Sequence, residues 1–215
     1  DNVYVADFGK HRVKVHKKSN FAHVSSFGQL GRGATNFHLP TGVTADGDSL
    51  YVGDDGNQRI VKLKKSTGAY VAHEKLSMNT FGSLMLTNDD EFLYAIYNTI
   101  HSTDVNSVDV ILEKRRKSDL SLINSVVIRP EGSVSISSYI VMGDPSVAGD
   151  YIYISFTDDL NGNRRYFVQK RLKSDFSLIR EYSSTLAQYG IAANSLSFDP
   201  RRVVIVKDTG IGDSN

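Results

Sequence analysis

The feature that most constrains this chain is a short apolar pattern centred on tyrosine that returns along its whole length. "VYVAD" at 3–7 recurs as "LYVGD" at 50–54, "LYAIY" at 93–97 and "IYISF" at 152–156, and once more as "VIVKD" at 204–208. The centres are Tyr4, Tyr51, Tyr94, Tyr153 and Ile205. After each of the first four comes a second alternating run that closes on Lys-Ser, at Lys18-Ser19, Lys65-Ser66, Lys117-Ser118 and Lys173-Ser174. A third run follows each of these ("AHVSS", "AYVAH", "SLINS", "SLIRE"), and a fourth precedes the next tyrosine, as in "TGVTAD" at 41–46. Each unit therefore reads as four short strands.

Spacings of roughly 43 to 59 residues with four strands per unit are those of propeller blades. The tyrosine-centred runs are apolar at consecutive positions, which suits strands covered on both faces, as when each blade packs between two neighbours. No segment carries a sustained helical period with caps, so few helices are expected. With 215 residues and 40% apolar content, the chain can bury a full core without metal or disulfide. The predicted fold class is all-β: a β-propeller of four-stranded antiparallel blades. One domain spans 1–215, with units at 1–47, 48–90, 91–150 and 151–201 and a partial unit at 202–215.

A more specific likeness lies in "FGQLGRGATNFHLPTGVTADGDSLYVGDDGNQRIVKL", residues 27–63. The Phe-Gly with a glycine-rich connector, Phe-X-X-Pro-X-Gly-Val, an acidic turn, Leu-Tyr-Val and Asp-X-Gly-Asn-X-Arg-Ile resemble an NHL repeat, a family of propeller blades. "DNVYVADFGKHRVKV" at 1–15 resembles the second half of another copy, with Asp7, Gly9 and Arg12 in place. The resemblance is strong over residues 1–66; beyond them only the strand rhythm persists. It implies that the glycine-rich stretch carries the chain from the outermost strand of one blade to the innermost strand of the next. A phosphate cradle would need that stretch to open a helix, whereas Pro40-Thr41-Gly42-Val43 leads into a strand.

Charge excludes more than it selects. With 25 Lys+Arg against 24 Asp+Glu, no overall field draws nucleic acid or an acidic membrane, and no apolar run approaches a membrane span. Basic corners recur beside the Lys-Ser turns: Lys17-Lys18, Lys64-Lys65, Arg115-Arg116-Lys117, and Arg171 with Lys173. They read as edge protection in preference to a polyanion-binding arc, since no aromatic stacking platform accompanies them. Asp7 with Arg12 and Asp54 with Arg59 span the turn between second and third strands and read as structural charge-assisted pairs. No cysteine is present, the six histidines show no ligand spacing, and "DDLNGN" at 158–163 lacks the later bidentate acid of a calcium loop. No metal and no cofactor are expected. Zero cysteines suit a reducing cytosol and some exteriors equally, and an extracellular or cell- or virion-surface setting is favoured.

The units differ in the stretch after the tyrosine strand, which is short in the first two but long at 98–109 and 157–165, where it reads as loop. In a propeller these loops share a face with the blade connectors, and one-sided elaboration marks a binding surface. Arg32, His38, His101, Asp104, Asp158, Asn161 and Arg164 are the candidate binding residues. The expected function is noncatalytic binding or scaffolding of a protein or surface glycan. The alternative is a metal-dependent lyase or lactonase of propeller type, with ligands around the central channel. The strand count opens and closes on second strands, which predicts an arc of a larger propeller whose open ends meet further blades or another chain.

Overall fold

Antiparallel strand pairing accounts for nearly all regular structure in the computed structural model, which describes residues 1–80, 82–100, 107–128, 136–137, 142–160, 163–185, 196–199 and 202–205. The strands group into successive sheets. β1 (Asn2–Asp7), β2 (Arg12–Lys17) and β3 (His23–Phe27) form the first, in that order. β4 (Pro40–Asp46), β5 (Ser49–Asp54), β6 (Arg59–Lys64) and β7 (Tyr70–Lys75) form the second. The third runs β8 (Leu84–Asn88), β9 (Phe92–Ile100), β10 (Ser107–Arg116), β11 (Leu122–Ile128), with β12 (Ile136–Ser137) paired to the start of β10. The fourth runs β13 (Ser146–Ala148), β14 (Tyr151–Leu160), β15 (Asn163–Leu172), β16 (Leu178–Thr185), and β17 (Leu196–Asp199) pairs β18 (Arg202–Ile205). Among the described residues the helical elements are two 3-10 turns, Phe8–Lys10 and Asp55–Asn57.

The chain divides into two compact units, one of Asp1–Ile100 with Val110–Val127, the other of His101–Asp109 with Ile128–Asn215. In the first unit the consecutive apolar residues of the tyrosine strands are explained by their alternation between two neighbours. Leu50 and Val52 pack with Val13, Phe37, Val61 and Leu63, towards the first sheet. Tyr51 between them points the other way, into Ile60, Leu84, Leu93, Ala95, Tyr97 and Ile111 of the second and third sheets. Tyr51, Tyr94 and Tyr153 are buried, while Tyr4, on the end strand of a three-stranded sheet, is partly covered. In the second unit, Ile152 and Ile154 are fully buried and Phe156 stacks on Phe167 at 5.2 Å.

The Lys-Ser turns are built alike in all four sheets. Residues 17, 64, 116 and 172 donate their N–H to the carbonyl five residues on and accept from the N–H four residues on. Asn20, Thr67, Asp119 and Asp175 each take the N–H two residues on with a side-chain oxygen, at 2.9–3.2 Å. The next position is left-handed every time: Phe21, Gly68, Leu120 and Phe176 have φ of 56°, 71°, 66° and 65°. For a non-glycine residue that conformation costs about 1–2 kcal/mol. Where the residue is not glycine, its carbonyl is held by the side chain five residues earlier, His16, Arg115 or Arg171, at 2.7–2.9 Å. Where it is Gly68, the equivalent residue is the apolar Leu63.

This corrects the reading of two basic corners. Arg115 and Arg171 are not surface charges but buried caps, 2% and 8% exposed, braced by Glu113 and Gln169 on the same strands. The strands also extend where loop was expected. β9 runs to Ile100, β10 starts at Ser107, β14 runs to Leu160 and β15 starts at Asn163. Asp/Asn-rich composition marks a turn, but the register Thr157↔Tyr166 to Leu160↔Asn163 shows the ladder carried through it. No described helix is long and apolar enough to cross a membrane.

Candidate functional site

Antiparallel connectivity places the blade connectors of the first unit at the same end of the strands as the second-to-third-strand turns, and the Lys-Ser turns at the other end. The connector between β3 and β4 is irregular from Gly28 to Leu39, and its backbone polar groups need partners that no ladder supplies. Side chains of the next blade provide them. Arg59 donates through Nη2 to the carbonyls of Gly33 and Asn36 at 2.7 and 2.8 Å, and through Nε to Asp54 Oδ2 at 2.7 Å. Asn57 Nδ2 reaches Gly31 O at 2.9 Å and Asp54 Oδ2 at 2.8 Å. Asp54 Oδ1 in turn accepts the His38 N–H at 2.7 Å. Asp54 is wholly buried and Arg59 nearly so, and the pair and its hydrogen bonds form one connected network, in which Asn57 Oδ1 is left without a partner.

The connector closes on itself as well. Phe37, fully buried, donates its N–H to Gln29 O, and Gly31 donates to Phe37 O. Gly28, at φ 91°, lies close to the Phe37 ring, where a Cβ would sit 2.3 Å from a ring carbon. His11, on the first sheet's turn, accepts the Leu39 N–H through Nδ1 at 3.1 Å. Its ring lies 5.7 Å from that of His38, which pairs with Gly56 O at 3.3 Å. The sequence treats His11 as a variable turn position; its contact with Leu39 is non-local and has no local signal.

The connector between β7 and β8 is fastened by a different residue set with the same logic. Ser77 N–H donates to Glu113 Oε1 at 2.9 Å and Met78 N–H to the Tyr97 hydroxyl at 3.2 Å, while that hydroxyl donates to Glu113 Oε1 at 2.6 Å. Arg115 meets Glu113 Oε2 at 2.6 Å and donates onward to Lys75 O. Burial pushes the Glu113 carboxyl up, but Arg115, Ser77 and Tyr97 outweigh it and hold it below its ordinary value. A depressed acid stabilises the fold fully above its unfolded value of about 4.3 and loses that contribution as pH falls through the lower folded value. Glu113→Gln is therefore expected to destabilise at neutral pH, with the gap to wild type narrowing below about pH 4 in urea unfolding followed across pH. A gap that stays constant with pH would contradict the assignment.

Of the candidate binding residues, Arg32 and His38 lie on the first connector; Arg32 is exposed and His38 is half-buried and engaged with Gly56. His101, Asp104 and Asn161 lie outside the described residues. Asp158 and Arg164 belong to β14 and β15 in the second unit, near the end at which those strands join. Arg12 Nε donates to Asp7 Oδ2 at 3.1 Å, with Lys14 at 3.0 Å from the same oxygen; Lys14 first, then Arg12, lowers the Asp7 carboxyl in a solvated setting. Among the described residues, no group of three or more His, Cys, Asp or Glu is placed to hold a metal ion.

No family model matches the sequence, and no curated protein matches it. Solved structures do. The β-propeller domain of Cps50 (Swd1) from Myceliophteria thermophila is similar over 100% of this chain and 64% of its own, at 12% identity and a TM-score of 0.53. The chain thus spans 64% of the length of that domain. Hsv2 from Kluyvelomyces marxianus is similar over 92% of this chain and 67% of its own, at 11% identity and a TM-score of 0.45. Hydrazine synthase from Kuenenia stuttgartiensis is similar over 93% and 68%, at 11% identity and 0.46. With the first of these and the sheet topology together, the chain has the antiparallel blades of a β-propeller.

Proposed function

We propose that the protein is a noncatalytic binding propeller whose connector-bearing end engages another protein. The observation that carries this reading is the pinned first connector. Arg59, Asn57, Asp54 and His11 fix its backbone, while Arg32, Ala34 and Thr35 stay exposed on it. A loop whose ordering entropy is already lost in the free protein binds with a smaller cost than a mobile one. The blades are of the NHL kind, a reading supported by the Asp54–Arg59 turn and by the Phe27-Gly28 connector it clamps. A surface glycan is the lesser alternative: the described connector residues present no exposed aromatic ring, and the exposed Phe8 at that end sits on the turn of the first sheet.

Affinity capture from source-cell extract, quantified by mass spectrometry, compares wild type with Arg32→Glu and with Lys64→Glu at the Lys-Ser end. A partner held by wild type and by Lys64→Glu, but recovered about tenfold less by Arg32→Glu, is the expected result. Equal recovery by both variants, or loss confined to Lys64→Glu, would overturn the choice of face.

A further inference from the structure

The connector-bearing end of the first unit is one continuous surface, joined by hydrogen bonds from element to element. His11, on the turn after β1, holds the Leu39 N–H at the end of the first connector. Gly56, on the turn after β5, donates to His38 O, and Asn57 reaches Gly31 O at 2.9 Å, so Leu30 and Arg32 flank that fastening. Thr80 of the second connector, two residues beyond Met78, donates its hydroxyl to Asp55 O on the same turn at 3.1 Å.

Two properties of this surface need a reason. The first is apolar. Most exposed large apolar side chains among the described residues lie on strands, Val24, Val71, Ile123 and Ile179 on the outermost ones, where β-propensity accounts for them. Four lie off the strands, and three of these are here: Phe8 at 49%, Leu30 at 61% and Met78 at 48% exposed, while the fourth, Phe21, belongs to the first Lys-Ser turn. A 3-10 turn and irregular connectors have no preference for such side chains, and half-exposed ones add little to the core.

The second property is charge. On the described residues of these two turns and two connectors, the exposed Lys, Arg, Asp or Glu side chains are Lys10 and Arg32, both cations and neither in an ion pair. Asp54 and Asp55, the acids beside them, are buried. The adjoining strand ends add as much negative as positive charge, Asp7 and Glu74 against Arg12 and Lys75. The opposite end of the same sheets differs, with Asp48, Asp90 and Glu91 exposed among its lysines.

We infer that this surface docks an acidic protein segment carrying apolar side chains, its carboxylates meeting Lys10 and Arg32 and its apolar groups resting on Phe8, Leu30 and Met78. The inference rests on the protein-binding reading above and names the chemistry of its partner. Apolar anchors supply affinity in such a contact, and complementary charge supplies selection and register. Nucleic acid fits less well: two unpaired cations make few phosphate contacts, and Phe8 is the one exposed phenyl ring for a base to stack on.

The test uses the full chain, nitrogen-15 labelled, titrated with a short acetylated peptide of Glu-Glu-Leu repeats. Two further peptides replace every Glu by Gln or every Leu by Ser, and a uridine oligonucleotide is the fourth probe. The expected result is saturable shifts at the Lys10, Leu30, Arg32 and Met78 amides with the first peptide, and affinity at least about tenfold weaker with each other probe. Leu30→Ser and Arg32→Glu, both at exposed positions, should each weaken the first peptide by about tenfold, and Lys64→Glu should not. No saturable shifts, equal affinity for the Gln or Ser peptide, tighter binding of the oligonucleotide, or full affinity in both variants would overturn the assignment. Failure here with Arg32-dependent capture intact removes the acidic and apolar chemistry alone. Capture that does not depend on Arg32, with peptide binding intact, removes the choice of face instead.

Discussion

Arg59→Ala is expected to destabilise the protein by about 3–5 kcal/mol, the cost of leaving a fully buried carboxylate without its counter-charge. Three further losses go with it. The Asn36 carbonyl loses its Arg59 donor, the Gly33 carbonyl keeps only the Asn36 N–H at 3.2 Å, and the more distant Arg32 carbonyl, at 3.4 Å, loses a weak donor. Asp54 retains Asn57 and the His38 N–H, which limits the damage without replacing a cation. Arg59→Lys should recover part of the loss only, because an ammonium cannot span Asp54 and two carbonyls as the guanidinium fork does. Chemical denaturation of the three proteins gives the ranking. Arg12→Ala on the first sheet is the control: the same pair there is solvated, with Arg12 38% and Asp7 18% exposed, and a small effect is expected. Equal losses for Arg12→Ala and Arg59→Ala would show that burial is not what gives the second pair its strength.

Gly42→Ala should be comparably damaging, by about 3 kcal/mol or more, although it adds one methyl group. A Cβ at Gly42 would lie 2.4 Å from Leu84 O and 3.0 Å from Leu86 N, both backbone atoms of β8 that no rotamer change can move. The contact is between blades. Thr41 Oγ1 donates to Leu84 O at 2.9 Å and accepts the Leu84 N–H at 3.0 Å, so β4 and β8 are stitched at the position where the glycine allows approach. Gly47→Ala makes a matched comparison, since nothing lies within 4 Å of its Cβ and any effect there reports its φ of 49° alone. A thermal midpoint for Gly42→Ala at or above that of Gly47→Ala would contradict the close packing of the second and third sheets.

What was legible in the sequence follows from which interactions are local. The tyrosine strands announce two-sided burial because Leu50, Tyr51 and Val52 are all apolar, and alternate residues meet different sheets. The Asp54–Arg59 pair is readable because it spans one turn. The partners of that pair in the connector, 23 to 27 residues away, leave no trace in spacing. Arg115 and Arg171 were misread for a related reason. Beside lysines they look like edge charge, and only the left-handed φ of Leu120 and Phe176 reveals that a carbonyl there needs a donor. His16 before Phe21 performs the same task with another residue type, so the repeat lies in the geometry, not the letters.

Both connectors of the first unit are fastened by buried carboxylates of the following blade. Amide hydrogen exchange at His38 and Ser77 tests it directly, because each N–H lies in irregular chain and donates to one such carboxylate, Asp54 at 2.7 Å and Glu113 at 2.9 Å. Both amides are expected to exchange at least about a thousandfold more slowly than unstructured chain, near the rates of the flanking strands. Exchange at these two amides as fast as in an open loop, with the strands protected, would contradict it.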